Sequence, residues 1–283
     1  MATSLPPPST RRDLPPPSGP PVSSVPPPDG RSWSSLPPPP PPPSRWGFGD
    51  VLLGAVFILG VASVAGVLSV LIVGIPEATD TETASDLLAD EPAVLVSSVL
   101  AQQLAMIGWV VWVARRKGQG VVREFGFRFR WIDLAIGLGA AVAALVVTNV
   151  VITALSAWAN VDTVDNADFI DAPDQGLWII PIVLMVVVGA PLSEELFFRG
   201  LVFRAAEKRW TTGLGIAVST VAFALVHVIT GVTAAENLIL VAGIAIFGIA
   251  LAVVTAQFRR LGPAIVAHAL INGSTVAAIL ATT

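Results

Sequence analysis

The sequence predicts an all-α protein, a polytopic bundle of about seven transmembrane helices behind a disordered proline-rich N-terminal tail. Three observations lead there. The 283 residues are 54% hydrophobic and only 13% charged, and the mean hydropathy is +0.76, far from the composition of a water-soluble domain. Apolar runs of about 20 residues, the length a bilayer demands, recur along the chain. The cationic residues are confined to alternate connections between those runs.

The tail comes first. Residues 1–45 hold 18 of the 24 prolines, in units such as SLPPPS, DLPPPS and SVPPPD. A segment of this kind buries too little apolar surface to fold and favours polyproline II. It reads as a cytoplasmic spacer, with a docking arm for a proline-binding partner as the functional alternative. Arg11-Arg12 is followed by prolines instead of an apolar region, which excludes a twin-arginine export signal. The remainder, residues 46–283, reads as the membrane domain.

The expected spans are 49–75, 93–114, 133–158, 176–198, 213–231, 237–256 and 262–281. All 16 Lys and Arg fall in four places: the tail, the 115–130 connection, 199–209, and Arg259-Arg260. The alternate loops carry none and are acidic, from Glu77 to Glu91 and from Asp162 to Asp174. The positive-inside rule then puts the N-terminus in the cytoplasm and the C-terminus outside. The stretch QGVVREFGFRFRWID at 119–133 mixes basic and aromatic residues, as an interfacial segment does.

There are no cysteines, so thiol chemistry, disulfides and Cys-ligated zinc are excluded. Polar residues inside spans carry the remaining signal, because each ionised one costs roughly 2.5–3.5 kcal/mol at mid-bilayer. Glu194 and Glu195 lie in PLSEELFFRG. On a helix Glu195 and Arg199 share a face, whereas Glu194 is turned about 100° away and has Phe198 at i+4. Glu194 is thus the candidate for chemistry and Glu195 for support. The two histidines of the chain, His227 and His268, stand in two other spans, and Asn272 follows His268 by one turn. Each alone is explained by helix packing. Together, a carboxylate, two imidazoles and an amide suit activation of a water and stabilisation of an oxyanion. Two histidines on two helices would also suit a haem, but the adjacent carboxylates argue against it. His227 poses a difficulty of depth: counted along its span it lies about 20 Å from the cytoplasmic end, against about 9 Å for His268.

The motifs EELFFR (EExxxR), FALVH from Phe223 to His227 (FxxxH) and HALIN from His268 to Asn272 (HxxxN) resemble, in kind and order, those of the CPBP family, the CAAX-protease and bacteriocin-processing intramembrane proteases, which include Rce-type enzymes. The resemblance covers about 120–281. It implies a helical membrane fold with a conical cavity opening to the cytosolic side. It implies Glu194 as the base that activates water, aided by His227, with His268 and Asn272 as the oxyanion site and Glu195, Arg199 and Phe223 in support. The expected activity is an intramembrane endopeptidase acting on a membrane-associated or lipid-linked peptide; the alternative is a membrane scaffold recruiting partners through the tail. No cofactor is favoured. Zinc is the alternative, with Glu194, His227 and His268 as acceptable ligand types, although neither histidine belongs to an HExxH helix. The expected partners are a peptide or protein substrate and the bilayer, with no nucleic acid, and the expected location is a bacterial plasma membrane.

Overall fold

The computed structural model describes residues 43–74, 91–164, 176–229 and 231–281. The proline-rich tail up to residue 42 and most of the two acidic loops lie outside the described residues. Among the described residues every regular element is a helix. α1 is Phe48–Ser69, continued by a wider turn over Val70–Gly74; α2 is Pro92–Arg116; α3 is the short Val121–Phe125; α4 is Ile132–Ala159. α5 runs through Gly176–Arg209. α6 is Thr212–Leu225, α7 Ala234–Phe258 and α8 Gly262–Leu280.

Six of these helices, α1, α2, α4, α5, α7 and α8, are long and apolar enough to cross a membrane. The helix in the place of the expected 213–231 span is shorter. α6 has 14 residues, about 21 Å, less than the roughly 30 Å of a hydrocarbon core. Its apolar run continues past Leu225, but the backbone turns at Val226-His227, where His227 N–H bonds the Ala224 carbonyl at 3.2 Å. The turn is held from outside. The Asn237 side chain accepts from Ile229 N–H at 3.0 Å and donates to the Ile229 carbonyl at 2.8 Å. α7 then starts with a reciprocal cap: Thr233 Oγ1 accepts from Glu236 N–H at 3.2 Å and Glu236 Oε2 from Thr233 N–H at 2.6 Å, satisfying two orphan donors at once.

α1 packs on α2, α4 on α7 and α8, and α6 on α7, while α5 touches α1, α2, α6, α7 and α8. Close approach of α4 and α8 depends on Gly137, where any Cβ would meet Val266 and the Pro263 carbonyl, the small-residue device of membrane helices. The outward faces stay apolar and exposed, as with Leu52, Val56 and Leu59 on α1 and Val142, Val146 and Val150 on α4. That suits a lipid solvent. Trp131 and Trp158, at the two ends of α4, are 83% and 86% exposed, where interfacial belts form.

The basic segments meet at one end of the bundle. Asp133, fully buried, accepts from Arg260 Nη2 at 2.6 Å and Nε at 2.9 Å, which joins the start of α4 to the start of α8. Lys117 pairs with Asp50 and Arg259 with Glu207, both at 2.6 Å. Trp46 is buried there between α3 and α5: its indole N–H donates to Glu124 at 2.6 Å, and Lys208 Nζ stands 3.8 Å over its ring.

Candidate active site

The site begins with irregular backbone in α5. Around residues 185–189 the helix widens to i→i+5 bonding, so that Ala190 N–H reaches the Met185 carbonyl. The next donor in that register would be residue 191, which is proline and has no N–H. The Val186 carbonyl is therefore freed, and Asn272 Nδ2 of α8 donates to it at 2.8 Å. Gln103 Nε2 of α2 donates to the Met185 carbonyl at 3.1 Å. Side chains from two other helices thus clamp the wide turn that leads into Glu194. A second wide stretch, Glu195–Val202, follows, with Phe203 N–H on the Phe198 carbonyl. Such stretches are uncommon and concentrate at functional sites.

The two glutamates end in different surroundings. Glu195 and Arg199 are both 0% exposed. Arg199 Nη1 donates to Glu195 Oε1 at 3.0 Å, Nη2 donates to the Gly248 carbonyl of α7 at 3.2 Å, and the guanidinium lies 4.1 Å over the Phe223 ring. His268 Nδ1 also meets Glu195 Oε1, at 2.9 Å. A carboxylate can only accept, so the hydrogen is on Nδ1, and Nε2 faces Glu194 Oε2 at 3.7 Å. Glu194 Oε2 and Glu195 Oε2 are both buried without a hydrogen-bond partner.

His227 is placed by the turn after α6. Its Nδ1 is 2.7 Å from the Phe223 carbonyl; a carbonyl only accepts, so Nδ1 donates and any chemistry at this ring falls to Nε2. The Phe223 ring lies between the histidines, 4.8 Å from His227 and 5.9 Å from His268. α6 still carries about 21 Å of helix before His227, yet both histidines lie against the Phe223 ring and line one cavity, so the depth counted along the chain does not keep them apart.

Glu194, His227, His268 and Asn272 line one cavity of about 500 Å³, together with Gln103 and Phe223. Glu195 and Arg199 lie behind its wall. Gln103 and the Gly248 carbonyl were not among the residues the sequence singled out; the amide pair Gln102-Gln103 inside an apolar span was the available signal for the first. Among the described residues no three His, Asp or Glu side chains are grouped to hold a metal ion. The set Glu194, His227 and His268 is thus not gathered about one point.

The lining of the cavity is unevenly placed along the helices. Its floor is Glu194, Phe223, Phe247 and His268, and it runs past Ile239, Thr275 and Val276 to Val164 beyond the end of α4. Toward the basic end, every residue from Glu195 to Ala206 is buried. The cavity therefore extends away from the basic segments.

Residues 176–274 match the family model described as type II CAAX prenyl endopeptidase Rce1-like. That stretch runs from α5 into α8 and contains all three motifs; α1, α2 and α4 lie before it. No curated protein and no solved structure matches the chain. The match agrees with a bundle of apolar helices in which these motifs share one cavity, and it supports a protease acting on a peptide at the membrane. Residues 176–274 are thus Rce1-like, and the chain is consistent with an intramembrane protease of the CPBP family.

Proposed function

We propose that the protein is an intramembrane endopeptidase that hydrolyses a peptide bond with a water activated by Glu194. The observation that carries this reading is the contrast between neighbours. Both Oε2 atoms are buried without a hydrogen-bond partner, but Glu195 lies behind the wall with Oε1 engaged by Arg199 and His268, whereas Glu194 lines the cavity and stands 3.7 Å from His268 Nε2. A buried carboxylate oxygen without a partner needs a water or a substrate group.

In this mechanism Glu194 takes a proton from the water as its oxygen attacks the carbonyl carbon of the scissile bond. The carbonyl π electrons move to oxygen, and that oxyanion receives hydrogen bonds from the second N–H of the Asn272 amide and, with His268 as the imidazolium whose Nδ1–H remains on Glu195, from its Nε2–H. On collapse the C–N bond breaks and Glu194 passes its proton to the leaving nitrogen. Glu195 and Arg199 keep His268 turned toward Glu194, and His227 Nε2 serves as a second site for holding the water. The apolar remainder of the wall suits hydrophobic side chains next to the scissile bond. The test is cleavage of a membrane-anchored quenched peptide library by the purified protein. Glu194→Gln is expected to lower kcat by roughly a thousandfold, the scale of general-base loss, with folding retained. Full activity in that variant would remove Glu194 from the chemistry.

A further inference from the structure

We infer that the exposed segment Phe127–Trp131, with the unpaired arginines around it, is a binding surface for the anionic headgroups of phospholipids in the leaflet that meets the basic end. The inference does not depend on the proteolytic reading above.

The charge balance at that end comes first. Among the described residues, twelve cations gather there against four carboxylates. All four carboxylates are already engaged: Asp50 by Lys117, Asp133 by Arg260, Glu207 by Arg259, and Glu124 by the Trp46 indole and the Gln119 N–H. Seven exposed arginines, among them Arg115, Arg123, Arg128, Arg130 and Arg209, pair with no described carboxylate. Such a surplus draws counter-ions, and the planar fork of a guanidinium matches a phosphate bidentately.

The apolar surface says which phosphate. Phe127, Phe129 and Trp131 are 37%, 54% and 83% exposed. The stretch 126–130 lies outside any helix, and rings alternate along it with Arg128 and Arg130. The Phe129 and Trp131 rings meet edge to face, with centroids 6.2 Å apart. These rings continue into the exposed Ile132, Leu134 and Leu138 of α4, the face that meets acyl chains. A soluble anion would neutralise the arginines and leave the rings bare. A lipid satisfies both, because aromatic rings settle at headgroup level and each nearby cation adds to the attraction of an anionic surface.

The segment is held in place from both ends. Gly126 turns the chain with φ +69°, where a Cβ would meet the Arg259 carbonyl at 2.7 Å and Arg204 Nη2 at 2.8 Å. Its carbonyl accepts from Leu261 N–H at 2.9 Å, and Asp133 Oδ2 accepts from Arg130 N–H at 2.9 Å. Both ends are thus tied to the start of α8, one through Leu261 and the other through Asp133 and Arg260. Arg128 and Arg130 enter these contacts through main-chain atoms only, which leaves their side chains available to a ligand. A lipid bound here holds the junction of α3, α4 and α8 together, and a ligand of the native state raises Tm by mass action.

The full chain, purified in a neutral detergent, is titrated with phosphatidylglycerol, phosphatidylcholine or inorganic phosphate. Binding is read as the rise in Tm and as quenching of tryptophan emission by the brominated form of each lipid. Phosphatidylglycerol is expected to raise Tm by several degrees and to bind at least tenfold more tightly than phosphatidylcholine, with the preference lost at high salt. Inorganic phosphate is expected to leave Tm unchanged. The double variant Arg128→Gln/Arg130→Gln is expected to keep the parental Tm without lipid and to lose at least fivefold in affinity for phosphatidylglycerol, whereas Arg128→Lys/Arg130→Lys keeps most of it. Equal binding of the two lipids, an equal rise in Tm with inorganic phosphate, or full phosphatidylglycerol affinity in the glutamine variant overturns the inference. If the glutamine variant melts lower without lipid, Arg123→Gln/Arg209→Gln decides instead: a loss of affinity supports the surface, and unchanged affinity overturns it.

Discussion

Glu195 Oε1 accepts from two donors, Arg199 Nη1 at 3.0 Å and His268 Nδ1 at 2.9 Å, while its neighbour Glu194 meets only the far side of the same imidazole at 3.7 Å. That difference predicts opposite phenotypes. Glu195→Gln removes the hydrogen-bonded counter-charge of the fully buried Arg199 guanidinium, and breaking a buried pair in this way costs about 3–5 kcal/mol. A clear fall in Tm in detergent is expected, whereas Glu194→Gln should hold Tm near that of the parent, since it breaks no protein hydrogen bond through Oε2. The reverse pattern would exchange the two roles. The Glu195–Arg199 contact was legible in the sequence because i,i+4 spacing is a local property. The link from Glu195 to His268 was not, because those residues are 73 apart in the chain and meet only when α5 and α8 pack.

At the scale of the element, α5 departs from a regular helix twice, and its sequence shows little of this. The stretch LWIIPIVLMVVVGAPL is apolar on all sides, so no hydrophobic periodicity reports where the winding changes. Pro191 is the one local cue: it removes the donor that the Val186 carbonyl would otherwise have. The clamp is supplied from elsewhere, by Gln103 on α2 and Asn272 on α8. Gln103→Leu keeps the side-chain volume and removes the donor to the Met185 carbonyl. We expect kcat to fall by roughly ten- to a hundredfold as Glu194 loses its fixed position, with KM little changed and Gln103→Glu failing to rescue. An unchanged kcat would leave Gln103 a packing residue. α6 teaches the same lesson. Its apolar run suggested a full span, yet the helix ends at Leu225 because Asn237 of α7 holds the following turn, a contact that no local pattern announces.

For the whole molecule, the described chain begins just before its first anchor. Arg45 N–H bonds the Lys117 carbonyl at 2.7 Å, and Trp46 is 4% exposed within the core. Deletion of residues 2–42 keeps both anchors. The expected outcome is a folded protein with unchanged cleavage of a short peptide, read by Tm and kcat/KM. Loss of activity with folding intact would shift the reading toward recruitment through the proline-rich segment.

The sequence by itself determined the helical membrane fold, the segregation of charge between the two ends, and the motif residues available for a site. These follow from composition and from spacings within one helix, where the chemistry is local. Tertiary structure alone decided that His268 joins the Glu195–Arg199 pair, that Gln103 belongs beside the site, and that the cavity lining lies away from the basic end. Those depend on which helix faces pack and which gaps side chains fill, and neither is encoded in any single stretch of the chain.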